Sequence, residues 1–323
     1  MIHKKSSVLT LLAMTFAASA QASTTPLDVA LPYNYFVLGN FSATLDITGR
    51  IAVGGTLTSS SLTVGSDIPN GSDPYSLAQA PISFYANTVN GGSYNINKGN
   101  VYVGSGSANF NFNGGGSKLA TCAPKCIDFV AAATNLKDYS TQLGTLASNG
   151  TVGGVIDPTN PSFTPLRGTS NTLNVFNLTA AQFQSSSLDL IISNPSATTL
   201  INVVGNVSNS GGALTFNGTQ ASGTQSAGAK VIFNFTTATS VAIGNQFSAS
   251  ILAPRANYAG SAQVDGNVIV GSVSASGETH DALFTGAANL PPATTATPEP
   301  STAYFLMGGG LAAAAYRRFR SRT

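Results

Sequence analysis

The 323-residue chain predicts a mainly β fold, a β-solenoid (β-helix) with one amphipathic α-helix packed alongside. Three observations carry that prediction. Apolar runs are short and broken by Gly, Asn and Ser. Charged residues make up only 8% of the chain, too few for the solvated faces of an ordinary β-sandwich. One segment alone has helical periodicity, and its apolar stripe must lie against sheet. A β-sandwich with an inserted helix is the alternative architecture.

The elements follow in order. Lys4 and Lys5, the apolar run Val8 to Ala18 and the pattern Ala20-Gln21-Ala22 form a secretory signal peptide over residues 1–22. A single β-rich domain is expected over 23–290. Its strands are read at Tyr35 to Leu38, Arg50 to Val53, Ser61 to Val64, Asn100 to Val103 and Ala108 to Phe112. Later ones are read at Thr172 to Phe176, Leu188 to Ile192, Leu200 to Val204, Lys230 to Phe235 and Asn267 to Val270. Gly54-Gly55, Gly91-Gly92, Gly153-Gly154 and Gly211-Gly212 are read as tight turns. Ala253-Pro254 is read as breaking a strand, and Gly266 and Gly271 as bracketing one rung.

The helix is placed over about residues 127–147. Phe129, Ala132, Ala133, Leu136, Tyr139, Leu143 and Leu146 recur at intervals of three and four. Cys122 and Cys126 precede it, and in an oxidising compartment they form a local disulfide.

The C-terminal end has its own logic. A linker ending in Pro298, Glu299 and Pro300 occupies 291–300, and Ser301 completes the motif. A short apolar span follows over 301–316, then a basic tail over 317–323 with Arg317, Arg318, Arg320 and Arg322. The arginines stay on the cytoplasmic side of a membrane, which puts the rest outside. The span is shorter than the roughly 20 residues of a lasting anchor. Between the two ends, Ser23 to Pro300 carries eight Lys/Arg against twelve Asp/Glu, a net charge of −4. The overall +2 therefore belongs to the terminal segments, and a nucleic-acid partner, which needs a basic surface, is not expected.

Pro298-Glu299-Pro300-Ser301, the short Gly/Ala-rich span and the closing arginines resemble the PEP-CTERM sorting signal of Gram-negative bacteria. That resemblance implies an exosortase-type processing enzyme as partner, a membrane-held precursor, and an association with exopolysaccharide. A second resemblance rests on Asn34-Tyr35-Phe36-Val37-Leu38-Gly39-Asn40-Phe41, Asp46 to Gly55, Ser250 to Ala256, Gly266 to Ser272, Gly277-Glu278-Thr279-His280 and Phe284-Thr285-Gly286. These stretches are similar to the choice-of-anchor A domain, which implies a surface-exposed, adhesin-like role and supplies no catalytic residues.

Chemistry is thinly represented. Glu278, His280 and Asp281 form the best polar cluster, with Glu278 and His280 on one face of an extended strand. No G-x-S-x-G pattern accompanies them, and hydrogen-bonding in a last rung explains them better than acid–base work. Asp67 to Asp73 has oxygen ligands around a glycine but lacks calcium-loop spacing. No metal or cofactor is expected. The function expected is a non-enzymatic, surface-sorted structural or adhesin-like protein of envelope or matrix. A polysaccharide-active enzyme on a β-solenoid is the alternative. Ice binding stands lower: a helix beside a solenoid resembles the bacterial ice-binding fold, but Thr56-Leu57-Thr58 and Thr237-Ala238-Thr239 read as isolated pairs.

Overall fold

A computed structural model describes residues 25–68, 74–153, 163–185, 187–210, 213–220 and 226–294. The signal peptide, residues 69–73 of the candidate calcium loop, the sorting motif and the basic tail lie outside the described residues.

Strands stack in parallel register into a β-solenoid whose chain turns through three faces per coil. The first face is a ladder of ten strands. In spatial order its rungs contain Leu119, Tyr102, Tyr85, Ala52, Phe36, Ile269, Leu252, Ile232, Leu200 and Val175. Sequence order and spatial order differ at one seam. The N-terminal strand Tyr35–Val37 lies in the middle, paired with Ile51–Thr58 on one side and with Val268–Val273, near the C-terminal end, on the other. The chain builds outward from that seam, crosses along the helix, and builds back to close on its own beginning.

Side chains on this face alternate between two apolar environments. Tyr35, Val37, Ile51, Val53, Phe84, Phe233, Ile251 and Val268 point into the coil, while Phe36, Ala52, Tyr85, Ile232, Leu252 and Ile269 point outward beneath the helix. Burial on both sides is why these strands read as unbroken apolar runs and not as an alternation.

The helix α1 (Phe129–Gly144) covers that outer layer with Phe129, Ala132, Leu136, Tyr139, Ser140 and Leu143. It starts two residues later than the periodicity predicts because Asp128 caps it, its Oδ1 accepting from the amides of Val130 (3.1 Å) and Ala131 (3.0 Å). Its end at Gly144 is also earlier, and Leu146 packs against the same cluster after the helix has ended. Phe129 stacks on Phe36 at 5.3 Å, and near the other end Asn202 donates to the carbonyl of Leu143 at 3.0 Å. One helix thus spans both halves of the stack. Cys122 and Cys126 are disulfide-bonded just before it.

A second helix, α2 (Ala180–Ser185), is absent from the periodicity reading because six residues are too short to show a period. Thr179 and Gln182 cap it reciprocally, the Gln182 amide donating to Thr179 Oγ1 and the Thr179 amide to Gln182 Oε1. Phe183 is its buried anchor, packed on Phe233, Phe235 and Phe247.

Three turn assignments change. Gly54-Gly55 lies within the strand Ile51–Thr58, at a corner of the coil. Glycine is required at 54 because a Cβ there would sit 2.5 Å from the Phe129 ring and 2.6 Å from the Leu38 carbonyl oxygen. Pro254 does not break its strand, Ser250–Tyr258; the corner there shifts the pairing register between Ala253 and Asn257 instead. Gly271 likewise falls inside a strand, Val268–Val273, so the rung continues past it. Gly91-Gly92 does turn the chain, both residues at positive φ, though within the continuous strand Ile82–Ile96. Gly154, Gly211 and Gly212 lie outside the described residues.

Candidate functional site

The second face, next around the coil, brings together residues that are far apart in sequence. Eight triplets stack on it, six of them polar–inward–polar: Ser105-Gly106-Ser107, Thr88-Val89-Asn90, Thr56-Leu57-Thr58, Asn40-Phe41-Ser42, Ser272-Val273-Ser274 and Asn206-Val207-Ser208, while Asn257-Tyr258-Ala259 and Ser240-Val241-Ala242 end in alanine. Apart from Gly106, the central residue of each is buried in the coil. The flanking residues point outward and are exposed or half-buried. None of the twenty-four residues is charged.

Neighbouring rungs fix one another's side chains. Thr88 Oγ1 and Ser105 Oγ share a hydrogen bond of 2.9 Å. The Thr56 amide donates to Asn40 Oδ1 at 2.9 Å, Ser272 Oγ donates to Asn257 Oδ1 at 2.9 Å, and Asn257 Nδ2 donates to Ser274 Oγ at 2.8 Å. With rungs about 4.8 Å apart, eight rungs make a strip about 34 Å long, its two polar columns about 7 Å apart. The result is an uncharged array of hydroxyls and amides held at fixed spacing, with oxygen lone pairs left over toward solvent.

Thr56-Leu57-Thr58 is therefore not isolated: Thr88 and Ser105 continue its first column. Sequence reasoning passed over this because each triplet by itself looks like an ordinary strand fragment. The available signal was the recurrence of polar–inward–polar triplets that mix Ser, Thr and Asn. Thr237-Ala238-Thr239 lies apart from it, just before the Ser240 triplet, with Thr237 Oγ1 accepting from the Gly205 amide at 3.1 Å and the Thr239 amide donating to Asn206 Oδ1 at 2.8 Å.

The polar cluster near the C-terminal end has different geometry from the one expected. His280 Nε2 is 3.4 Å from Glu278 Oε1, and Nδ1 is 2.9 Å from Asp265 Oδ1, a residue that sequence reasoning missed because it belongs to the preceding rung. Asp265 is buried and also accepts from Ser248 Oγ at 2.7 Å and Gln263 Nε2 at 2.8 Å. Burial pushes the Asp265 carboxyl up, but hydrogen bonds from His280, Ser248 and Gln263 outweigh it and hold the group below its ordinary value. The hydrogen bond to Asp265 raises His280, against a smaller lowering by burial, and the charges of Asp265 and Glu278 reinforce the rise. Glu278 thus contacts Nε2, while Nδ1 faces the Asp265 carboxylate and, at 3.0 Å, the Gln263 side-chain amide. Asp281 sits elsewhere, buried, its amide bonded to Thr48 Oγ1 at 2.8 Å. Among the described residues no group of three or more His, Cys, Asp or Glu is arranged to hold a metal ion.

Comparison with known proteins adds the following. Residues 26–281 match the family described as "Putative Ice-binding-like adhesive domain", and residues 296–321 match the PEP-CTERM protein-sorting motif. Among solved structures, the chain is similar to an ice binding protein from an Antarctic biological consortium, at 13% identity, 84% coverage of this chain, 95% of that one and a TM-score of 0.30. It is also similar to a glycosylated ice-binding protein from an Arctic yeast (14%, 87% and 100%, TM-score 0.33). A third is the ice-binding protein of the Antarctic ascomycete Antarctomyces psychrotrophicus (10%, 78% and 95%, TM-score 0.28). No curated protein sequence matches the chain.

Proposed function

Since the chain belongs to the ice-binding-like adhesive domain family, we propose that it is a surface-sorted adhesin-like protein of envelope or matrix whose adhesive surface is the triplet strip. The observation that carries this reading is the register. Eight rungs drawn from distant parts of the chain present one continuous uncharged array, and side-chain bonds between rungs order it in advance. Binding then pays little further rotamer entropy, and many weak hydrogen bonds act together. Polyol surfaces such as glycans are the chemistry that such an array suits. The sorting motif supports export through a membrane-associated precursor and processing by an exosortase-type enzyme. The outer surface of a Gram-negative cell as destination, and kinship with choice-of-anchor A domains, belong to the same proposal. So does a non-enzymatic role, supported by the family and by the tied-up imidazole of His280.

The test is retention of the purified protein on an uncharged polysaccharide matrix under flow. T88K and S272K place long charged chains on two separated rungs. Each is expected to abolish most retention while lowering stability by no more than about 1.5 kcal/mol, the scale of the one side-chain hydrogen bond that each removes. Retention equal to wild type would defeat the reading. Because the strip carries no charge, wild-type retention should change little between about 0.05 and 0.5 M salt. A chain lacking residues 298 to 323 is expected to leave the envelope fraction for the medium; identical fractionation would defeat the sorting part.

A second reading, ice binding, draws support from the family match and from the constant rung spacing of the strip, which suits ordered water. Thermal hysteresis lost in T88K would favour it; ordinary freezing would remove it.

A further inference from the structure

One cleft holds a cation that has no ion-pair partner among the described residues. It lies between the last turns of α1 and a corner of the coil, has a volume of about 450 Å³, and is lined by Thr141, Gly144, Thr145, Thr236, Thr237 and Arg255. Arg255 Nη2 donates to Thr141 Oγ1 at 3.0 Å. Its Nη1 is buried and has no hydrogen-bond partner among the described residues, and Arg255 forms no ion pair among them. Leaving a buried donor of a charged group unsatisfied costs free energy, more than for a neutral one. The C-terminal end of α1 offsets part of the charge, since the partial negative end of a helix favours a nearby cation. A terminal helix carbonyl nevertheless supplies only a fraction of a charge.

We propose that this cleft binds the carboxylate of an acidic saccharide, a hexuronate unit, with Arg255 as the charge partner and the threonine hydroxyls of the wall bonding the ring hydroxyls. A planar guanidinium pairs with a planar carboxylate more specifically than with any neutral group. Thr141 and Thr145 give their hydroxyl protons to the carbonyls of Lys137 and Gln142 and so meet a sugar ring as acceptors of its hydroxyl protons. Thr237 Oγ1 accepts from the Gly205 amide and keeps its own proton to donate. The volume falls within the range of small-molecule sites and far exceeds a bare inorganic anion. Position supports the same ligand. Arg255 lies two residues before Asn257, and Thr237 three before Ser240, both of which stand on the triplet strip. A glycan lying along the strip would meet the cleft at its border. The inference thus rests on the adhesive reading and narrows it from polyols in general to acidic polysaccharide.

The experiment titrates the purified protein by calorimetry with tetragalacturonate, a neutral maltotetraose, and sulfate. Wild type is expected to bind the uronate at least about tenfold more tightly than the neutral sugar, a difference of about 1.4 kcal/mol. R255Q should abolish that preference in a protein that still unfolds cooperatively, and R255K should restore part of it, because it keeps the charge and loses the planar guanidinium. Equal uronate affinity in wild type and R255Q overturns the proposal. So does sulfate competing as tightly as the uronate, which would mark an anion site with no sugar recognition. T88K separates the two readings. If it loses retention on the neutral matrix while R255Q leaves uronate binding intact, the cleft fails and the strip stands. If T88K retains the matrix while R255Q loses uronate, the strip fails and the cleft stands.

Discussion

His280 gives the molecule a pH dependence whose sign is set by its two carboxylate neighbours. Its ionisation is raised above 6.5, so the imidazolium–Asp265 pair contributes fully below about pH 6.5 and is lost as pH climbs through the raised value. Asp265 is lowered from 3.8, so its contribution is present above about pH 3.8 and is lost as pH falls through the depressed value. The thermal midpoint should therefore be highest between about pH 4 and 6.5. From pH 6.5 to 9 wild type should lose about 1–2 kcal/mol, the scale of a charge-assisted hydrogen bond, while H280Q should stay flat over that interval. A wild-type profile level to pH 9 would show that the pair contributes nothing. Part of this site was legible beforehand. Two-residue spacing brought Glu278 and His280 to one face, but Asp265 meets His280 only through the stacking of rungs, and no local pattern reveals that. Asp281, adjacent in sequence, points away because alternate residues of an extended strand face opposite sides.

At the level of elements, α1 is attached to the second half of the stack by an internal row of asparagines. Asn177, Asn202 and Asn234 occupy equivalent positions on three successive rungs, with Nδ2 of Asn202 and of Asn234 each donating to the preceding Oδ1 at 2.9 Å. Asn234 also exchanges two bonds with Ser140 of the helix: Ser140 Oγ donates to its Oδ1 at 2.6 Å, and its Nδ2 donates to the Ser140 carbonyl at 2.8 Å. N234L would fill the space but leave Ser140 Oγ and Asn202 Oδ1 buried without these partners, at about 1–3 kcal/mol for each such group. Chemical denaturation should register a loss of about 2–4 kcal/mol, larger than for N177L at the exposed end of the row; equal effects would argue against a connected row. The helix itself could be read from the sequence because sixteen residues repeat its period more than four times. The asparagine row could not, since Asn-rich stretches in this chain look like turns until register aligns them.

For the molecule as a whole, the decisive feature is the seam at Tyr35–Val37. Its partners on one side begin at Val268, so the first strand of the domain cannot complete its pairing until a strand more than 230 residues later has been made. Such long-range closure predicts slow folding. Refolding followed by circular dichroism should be limited by this step. V268A, which removes interior volume at the seam, should slow refolding if the seam forms in the transition state, and should otherwise speed unfolding alone. The solenoid was legible as a class because short, glycine-punctuated apolar runs suit stacked rungs. Its repeat was hidden by insertions. Along the first face the steps are 16, 33, 17 and 17 residues from Tyr35 to Lys118, then 25, 32, 18 and 17 from Phe176 to Val268, so a coil of about 17 residues is interrupted too often for its period to show. The exit of the chain has a mechanical consequence. After the coil closes, the backbone runs onto α1, where Tyr139 Oη donates to the Pro291 carbonyl at 2.7 Å and Gln142 binds both the Pro292 carbonyl and the Thr294 amide. A pull on the tail therefore reaches the flank of the stack through a helix stitched to both halves. The load is shared in shear across many rungs, and no terminal coil is left to peel away first.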